Sequence, residues 1–164
     1  MGFIQIGNKS LLEKCVNSLP NSKSYIYIYR KNDSLHDLLV SKIKAAIPDK
    51  PYELISVEDK TEGQAATCLI AKESYAEDRS LMISSCDYAL DYNEEKLLSL
   101  INSGCDVIVF SFRLRSLPVG SYSNFAYCKV DPNGDVISII EKECISENPE
   151  LDQMVTGTFW FKRG

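Results

Sequence analysis

The stretch Arg79-Ser-Leu-Met-Ile-Ser-Ser-Cys-Asp-Tyr88 decides how the rest of the chain is interpreted. Residues 81–83 form an apolar run that is long enough for a buried strand and too short for a helix. The run turns polar at Ser84 and ends on the acid Asp87. In an open α/β sheet the carboxyl ends of the strands form the ligand crevice. We therefore predict that Asp87 is a functional carboxylate that binds a hard cation; the alternative is an Asp that only stabilises a turn.

Composition indicates an ordinary globular protein. A chain of 164 residues with 45% hydrophobic and 25% charged residues is typical of a single domain that can bury a core without disulfides or a structural metal. Its net charge of −5 gives no electrostatic reason to expect a nucleic acid or an anionic membrane as partner. No apolar run approaches the roughly 20 residues that span a bilayer, and the amino terminus shows no secretion signal.

The six cysteines indicate a reducing, cytoplasmic compartment. They are widely and irregularly spaced, none forms a C-x-x-C pair, and His36 is the one histidine in the chain, so a zinc site has little support. Several lie in apolar stretches, which is typical of buried free thiols.

The order of apolar runs predicts an α/β fold. β-like runs at residues 25–29, 52–57, 81–83 and 106–112 alternate with helical patterns near residues 11–19, 35–43, 65–72 and 94–101. Asn8 or Ser10 is a plausible cap for the first of these helices. Such alternation predicts a mostly parallel, doubly wound sheet with helices on both faces.

The last third of the chain predicts antiparallel structure. Residues 122–130 and 136–140, joined by Asp131-Pro-Asn-Gly134, read as a β-hairpin because Asn-Gly readily takes the positive φ of tight turns. A final strand is predicted at residues 154–161. We expect one domain over residues 1–164, with an antiparallel C-terminal part added to the doubly wound sheet.

Three further motifs could bind a ligand. Thr61-Glu-Gly-Gln-Ala-Ala66 places small residues at a helix start, where free amides favour anions and a glycine lets a flat ring approach; the alternative is an ordinary loop-to-helix junction. Glu141 could accept sugar hydroxyls and Lys142 could meet a phosphate, although exposed Glu-Lys pairs are mostly solvated. In Val155-Thr-Gly-Thr158 the glycine allows close backbone approach or only marks a bulge.

Taken in order, these motifs resemble the sugar-phosphate nucleotidylyltransferases, whose catalytic domain has the nucleotide-diphospho-sugar transferase fold. Lys9-Ser-Leu-Leu-Glu13 resembles the family's Gly-Lys-Pro-Leu-Ile-Glu helix start, and Glu62-Gly-Gln-Ala65 resembles its base-contacting loop. Ser85-Cys-Asp87 stands where the family has its metal-binding Asp. Lys129-Val-Asp-Pro-Asn-Gly134, Glu141-Lys142 and Val155-Thr-Gly157 follow in the family's order.

The resemblance implies a reaction and a set of roles. A sugar 1-phosphate oxygen attacks the α-phosphorus of a nucleoside triphosphate, and pyrophosphate leaves. Asp87 would hold Mg²⁺, and Glu62, Gly63, Gln64 and Ala65 would meet the nucleobase. Glu141 would hold a sugar hydroxyl, Lys142 the sugar phosphate, and Thr156 with Gly157 the sugar ring. The expected partners are thus a nucleoside triphosphate and a sugar 1-phosphate.

The chain also departs from the family. The family's first strand and its Gly-rich, Arg-containing loop would precede Phe3, and its second metal-binding acid would follow Gly164. The chain is therefore expected to be a fragment, incomplete at both ends, with weak or no transferase activity. A sheet without its first strand is expected to expose apolar surface that can pair with a neighbour, which leaves a homo-oligomer open.

Three other functions stay open. The first is a glycosyltransferase of the same broad fold, although Asp87-Tyr-Ala89 lacks the Asp-x-Asp pattern of those enzymes. The second is a non-catalytic domain for nucleotide-sugar sensing or assembly. The third is a phosphate-binding α/β domain of another kind.

Overall fold

The computed structural model describes residues 4–31, 36–113 and 122–164. In these ranges the fold is mixed α/β, with a two-stranded hairpin, a two-stranded sheet and a five-stranded sheet. None of the helices in the described ranges is long and apolar enough to cross a membrane.

The first helix begins where the sequence predicts. Strands β1 (Gln5–Ile6) and β2 (Lys9–Ser10) form a short antiparallel hairpin that leads directly into α1 (Leu11–Asn17). Ser10 is the N-cap: its hydroxyl accepts from the Glu13 backbone N–H at 3.3 Å, and the Glu13 carboxylate accepts from the Ser10 N–H at 2.8 Å. This reciprocal capping box satisfies two amides that the helix leaves unpaired.

A parallel β-α-β unit follows α1. Strand β3 (Tyr25–Arg30), helix α2 (His36–Ala46) and strand β4 (Tyr52–Val57) succeed one another, and the two strands pair in parallel over their whole length. Tyrosine rings of β3 and β4 pack against the apolar faces of α1 and α2. The buried residues of this core are Leu12, Val16, Leu39, Ile43, Ala46 and Ile47.

The second half of the chain forms the larger sheet. The strands of this sheet are β5 (Leu81–Ile83), β6 (Val107–Phe112), β7 (Ala126–Val130), β8 (Val136–Glu141) and β9 (Gln153–Phe161). Two helices belong to the same half of the chain: α3 (Gln64–Ile70) precedes β5, and α4 (Glu94–Asn102) lies between β5 and β6. Strand β9 is central: it pairs antiparallel with β6 along one edge, and with β5 and then β7 along the other. The hairpin strand β8 pairs with β7.

The mostly parallel doubly wound sheet is not confirmed. Parallel pairing in the described ranges is confined to β3 and β4, and the main sheet is antiparallel. The physical reason is the position of β9, which lies between β5 and β6 and runs against both. Strands β5 and β6 therefore do point the same way, as a helical crossover through α4 requires, but they are not neighbours.

The predicted hairpin forms with a longer connection than a two-residue turn. Residues 131–135 join its strands, and the Asp131 carboxylate accepts from the backbone N–H groups of Asn133 and Asp135, each at 2.9 Å. These bonds lower the pKa of the Asp131 carboxyl. Gly134 takes the positive φ (93°), whereas Asn133 does not. The turn is thus organised by an acid at its start.

Candidate functional site

A cleft of about 780 Å³ runs between the β3–β4 sheet and the five-stranded sheet. Strand β3 and helix α1 form one wall. Strand β5, the loop after it, α3 and residues 155–157 of β9 form the other. Four of the residues predicted from sequence to bind ligand line this cleft, namely Gln64, Asp87, Thr156 and Gly157.

The mouth of the cleft coincides with a break in strand pairing on β9. Strand β5 pairs with residues 159–161 of β9, and β7 pairs with residues 153 and 154 on the same edge, so residues 155–158 pair with neither. On the opposite edge of β9, Val109 of β6 pairs with Phe159, and Ser111 of β6 pairs with Val155. Three residues of β9 (156–158) therefore lie opposite a single residue of β6, Phe110. This β-bulge bends the strand, and bulges are frequent beside active sites.

Gly157 stands at the middle of the bulge. Its φ of 77° lies in the left-handed region, where a side chain is disfavoured. Its carbonyl accepts a hydrogen bond of 2.7 Å from the Gln64 side-chain amide, and a Cβ added to it would lie 3.7 Å from the Ser85 Cβ. The structure therefore brings together three motifs that lie far apart in sequence.

Thr156 and Thr158 hold the bulge in shape. The Thr156 hydroxyl donates to the Phe110 carbonyl at 3.0 Å and accepts from the Thr158 N–H at 3.2 Å. Thr158 is fully buried, with its hydroxyl 3.1 Å from that of Ser84. The Thr156 hydroxyl thus has one acceptor lone pair left for a ligand.

Asp87 follows β5 and reaches the cleft as an exposed acid. Its backbone N–H donates to the Ser85 hydroxyl at 3.4 Å. Across the cleft, burial and, to a smaller extent, the Cys86 thiol and the Asp87 carboxylate raise the pKa of the Cys15 thiol to about 11. Cys15 is therefore a protonated thiol near neutral pH, and it faces the predicted functional acid.

Among the described residues that line the cleft, Asp87 is the one carboxylate, so the cleft has no cage of protein ligands for a metal. No group of three or more His, Cys, Asp or Glu side chains clusters in the described ranges. Mg²⁺ commonly takes one or two protein carboxylates and completes its octahedron with water and substrate phosphates. Asp87 fits that donor set, and its role as a Mg²⁺ ligand stays a prediction.

Glu62, Gly63 and Ala65 adjoin the cleft without lining it. Gly63 has an extended backbone (φ 173°), and an added Cβ would meet no atom within 4 Å, so space for a flat ring is open beside it. Helix α3 buries none of its residues, which leaves this segment exposed.

Glu141 and Lys142 lie beyond the rim of the cleft. Their side chains form an exposed ion pair of 3.3 Å. Lys142 has a φ of 59°, which is uncommon for a residue with a side chain, and its N–H donates to the carbonyl of the cleft residue Phe125 at 3.0 Å. Strained backbone of this kind often marks functional positions.

Several cleft residues were not predicted from sequence. Cys15, Asn124, Phe125 and Ala126 all line the cleft. Cys15 lies on the apolar face of α1, where its pattern is that of a core residue. The other three reach the cleft because β7 pairs with β9, and no local sequence signal announces that contact.

Comparison with solved structures shows what the fold resembles. The chain is similar to the nucleoside-diphosphate-sugar pyrophosphorylase of Vibrio cholerae RC9 (TM-score 0.70, 21% identity, 99% of this chain and 64% of that one). It is also similar to a structure described as mannose-6-phosphate isomerase from Helicobacter pylori (TM-score 0.74, 20% identity, 98% and 66%). A UDP-glucose pyrophosphorylase complexed with UDP-glucose matches with TM-score 0.66 and 13% identity over 98% and 67%.

No protein-family model matches the sequence, and no curated protein matches it at a significant level. The chain spans about two thirds of the length of its structural neighbours (64% and 66% of the first two). At such identities the likeness concerns the fold. The chain has a nucleotidyltransferase-like fold of the kind found in nucleotide-sugar pyrophosphorylases.

Proposed function

We propose that the chain is a nucleotidyltransferase-like domain that binds a nucleoside triphosphate and a sugar 1-phosphate in the cleft. In the protein to which it belongs, this site would transfer a nucleoside monophosphate to the sugar phosphate and release pyrophosphate. The observation that carries the proposal is the meeting of Gln64, Gly157 and Ser85 beside Asp87 at the unpaired part of β9.

The roles follow from what each group can donate or accept. The exposed surface from Glu62 to Ala65 would take the nucleobase, whose flat ring needs the open space beside Gly63. The Gln64 amide, held by the Gly157 carbonyl, keeps a free oxygen that can accept from a ligand. Thr156 and Gly157 would present the sugar with an acceptor and a close backbone approach.

Glu141 and Lys142 would approach the sugar phosphate from beyond the rim. Their ion pair is exposed, so each partner can exchange it for a ligand at little cost. Mg²⁺ at Asp87 would neutralise phosphate charge when bound. The transfer needs no covalent protein intermediate, because positioning and charge neutralisation suffice for an in-line displacement.

Turnover by these residues alone is expected to be slow. Among the described residues that line the cleft, Arg79 is the one cation, so little positive charge from this part of the chain faces a triphosphate. Removal of cationic and amide contacts from a phosphoryl-transfer site lowers rate more than it lowers binding. The same observation favours the second candidate, a non-catalytic nucleotide-sugar sensing domain.

Nucleotide binding with Mg²⁺ tests the site. Titration calorimetry with each common nucleoside triphosphate should find one that binds, and Asp87→Asn should weaken it by about tenfold or more, because a neutral amide is a poor Mg²⁺ ligand. Asp91→Asn is the matched control, since Asp91 is an exposed acid outside the cleft. Equal affinities of wild type and Asp87→Asn would contradict the site.

A pyrophosphate-release assay then separates the two candidates. The same nucleotide is mixed with a panel of sugar 1-phosphates at saturating concentrations. Release with any of them supports a transferase, whereas Asp87-dependent binding without release supports a sensor.

A further inference from the structure

The Gln64 side chain joins two segments that the proposed function assigns to different ligands. Gln64 is the first residue of α3, in the stretch proposed for the nucleobase, and Gly157 lies in the β9 bulge proposed for the sugar. The Gln64 Nε2 group donates to the Gly157 carbonyl at 2.7 Å, across 93 residues of sequence. One hydrogen bond thus links the two halves of the proposed site.

The segment from Thr61 to Ile70 has few polar contacts with the rest of the fold. Its other side-chain hydrogen bonds in the described ranges stay inside the segment, where Thr67 bonds to the Thr61 hydroxyl and to the Gly63 carbonyl. Helix α3 also buries none of its residues. Between described residues, the bond from Gln64 is therefore the one side-chain hydrogen bond that ties this segment to another element.

The β9 bulge also touches the loop that carries Asp87. Residues 155–158 pair with neither β5 nor β7, so this part of β9 faces side chains instead of a strand. A Cβ added to Gly157 would lie 3.7 Å from the Ser85 Cβ, and the Ser85 hydroxyl accepts from the Asp87 N–H at 3.4 Å. Gly157 is thus adjacent both to the nucleobase segment and to the loop of the acid proposed to hold Mg²⁺.

The strength of the Gln64–Gly157 bond determines its effect on binding. The bond is exposed to solvent. Such a bond contributes little net free energy, because water competes for both groups and glutamine gives up rotamer freedom to form it. The bond is therefore expected to open and close in the free chain, and a ligand that needs the closed arrangement bears the cost of closing it.

We propose that Gln64 is a positioning residue that couples the binding of the nucleotide to the binding of the sugar 1-phosphate. This inference rests on the proposed function, because it takes both ligands from it. The ligand that binds first holds the Gln64–Gly157 bond closed, so the second ligand finds its part of the site already ordered. Each ligand then raises the affinity for the other by the same factor, because coupling between two sites is reciprocal.

Two substitutions form a matched pair for the test. Gln64→Met keeps the length of the side chain and removes the donor to Gly157. Glu53→Ala is the control: it removes an exposed hydrogen bond of 2.9 Å from Ser74, which ties the residues just after α3 to β4 and not to β9.

Titration calorimetry in Mg²⁺ measures the coupling. The nucleotide probes are the α,β-methylene analogues of ATP, CTP, GTP, UTP and dTTP, in which a carbon replaces the oxygen that would leave, and the sugar probes are glucose 1-phosphate and mannose 1-phosphate. In wild type, a saturating sugar phosphate should tighten the nucleotide analogue by about fivefold, and the analogue should tighten the sugar phosphate equally. Glu53→Ala should keep this factor, whereas Gln64→Met should reduce it to about one.

Hydrogen exchange gives a second readout that does not depend on nucleotide affinity. The sugar phosphate alone should slow amide exchange in residues 65–70 of wild type and of Glu53→Ala, although its proposed contacts lie on β9. Gln64→Met should lose this protection while circular dichroism shows that it is folded. If Gln64 only contacted the nucleobase, its replacement would lower nucleotide affinity and leave the protection unchanged.

Three results would overturn the coupling and leave nucleotide binding at the site standing. The two ligands bind independently in wild type, or Gln64→Met keeps the wild-type factor and protection, or the nucleotide analogue binds and neither sugar phosphate does. If no analogue and no sugar phosphate binds, the proposed function itself fails, and the coupling fails with it.

Discussion

The two walls of the cleft are built in different ways. The wall formed by β3 and α1 is regular. Strand β3 stays in register with β4 over six residue pairs, and six buried side chains of α1, α2 and the residue after α2 form a closed apolar core. The wall opposite is irregular, because β9 bulges at residues 156–158 and α3 buries none of its residues. All four predicted ligand residues that reach the cleft belong to the irregular wall.

This difference separates stability from binding. A close-packed core resists change at every buried atom, whereas a bulge and an exposed helix offer main-chain groups that the fold does not use. We therefore expect substitutions in the regular wall to lower the free energy of unfolding, and substitutions in the irregular wall to lower ligand affinity.

The largest effect is expected in the regular wall. Ile43 is fully buried, so Ile43→Ala should lower the free energy of unfolding by about 2–5 kcal/mol through lost packing and a cavity. Leu98→Ala, at a helix position that is 52% exposed, should change it by less than about 0.5 kcal/mol. Urea unfolding followed by circular dichroism measures both. A similar loss in the two variants would mean that this wall is not tightly packed.

A glycine pair sharpens the contrast. Gly157→Ala forces a side chain into the left-handed region (φ 77°) and should cost about 1–2 kcal/mol of unfolding free energy. Gly134→Ala, at φ 93° in the distant hairpin turn, should cost about the same. Only the first should also weaken nucleotide binding, because Gly157 lies in the cleft. Calorimetry showing equal nucleotide affinities for the two would refute a ligand role for the bulge.

The smallest effect concerns the capping box and its pH dependence. Hydrogen bonds from Ser10, followed in size by the charge of Lys42, lower the pKa of Glu13 below 4.5. A lowered folded-state pKa means that the stabilisation is complete above pH 4.5 and is lost as the pH falls through the folded value. Ser10→Ala should cost about 1 kcal/mol at neutral pH and flatten this acid dependence.

Thermal unfolding between pH 3 and pH 7 measures that dependence. Ser41→Ala, at an exposed position of α2, serves as the control and should leave the acid profile unchanged. An acid profile of Ser10→Ala that is parallel to wild type would show that Glu13 is not stabilised through Ser10.

Strand β4 and strand β9 show how far sequence reasoning reaches. The predicted run at residues 52–57 matches β4 in both bounds, because a short β-like run with a helical pattern on each side is a local signal. The sequence also predicts the final strand, as part of an antiparallel segment added to the parallel sheet. In the structure this strand, β9, is the centre of the main sheet. Which strands become neighbours depends on contacts between residues far apart in sequence, and periodicity carries no information about them.

The candidate site divides in the same way. Asp87, Gln64, Thr156 and Gly157 were selected by residue type and order, and the structure places all four in one cleft. Glu141 and Lys142 were selected on the same grounds and lie outside it. Their separation follows from the hairpin geometry of β7 and β8, which no motif in the sequence specifies.

The sequence by itself determined where helices and strands form and which polar motifs interrupt them, because propensity, capping and apolar periodicity act over a few residues. Only the tertiary structure decided that β9 divides β5 from β6 and that Gly157 meets Gln64 and Ser85. Strand neighbours are chosen by the burial and hydrogen bonding of the whole chain at once, so they are settled only when it folds.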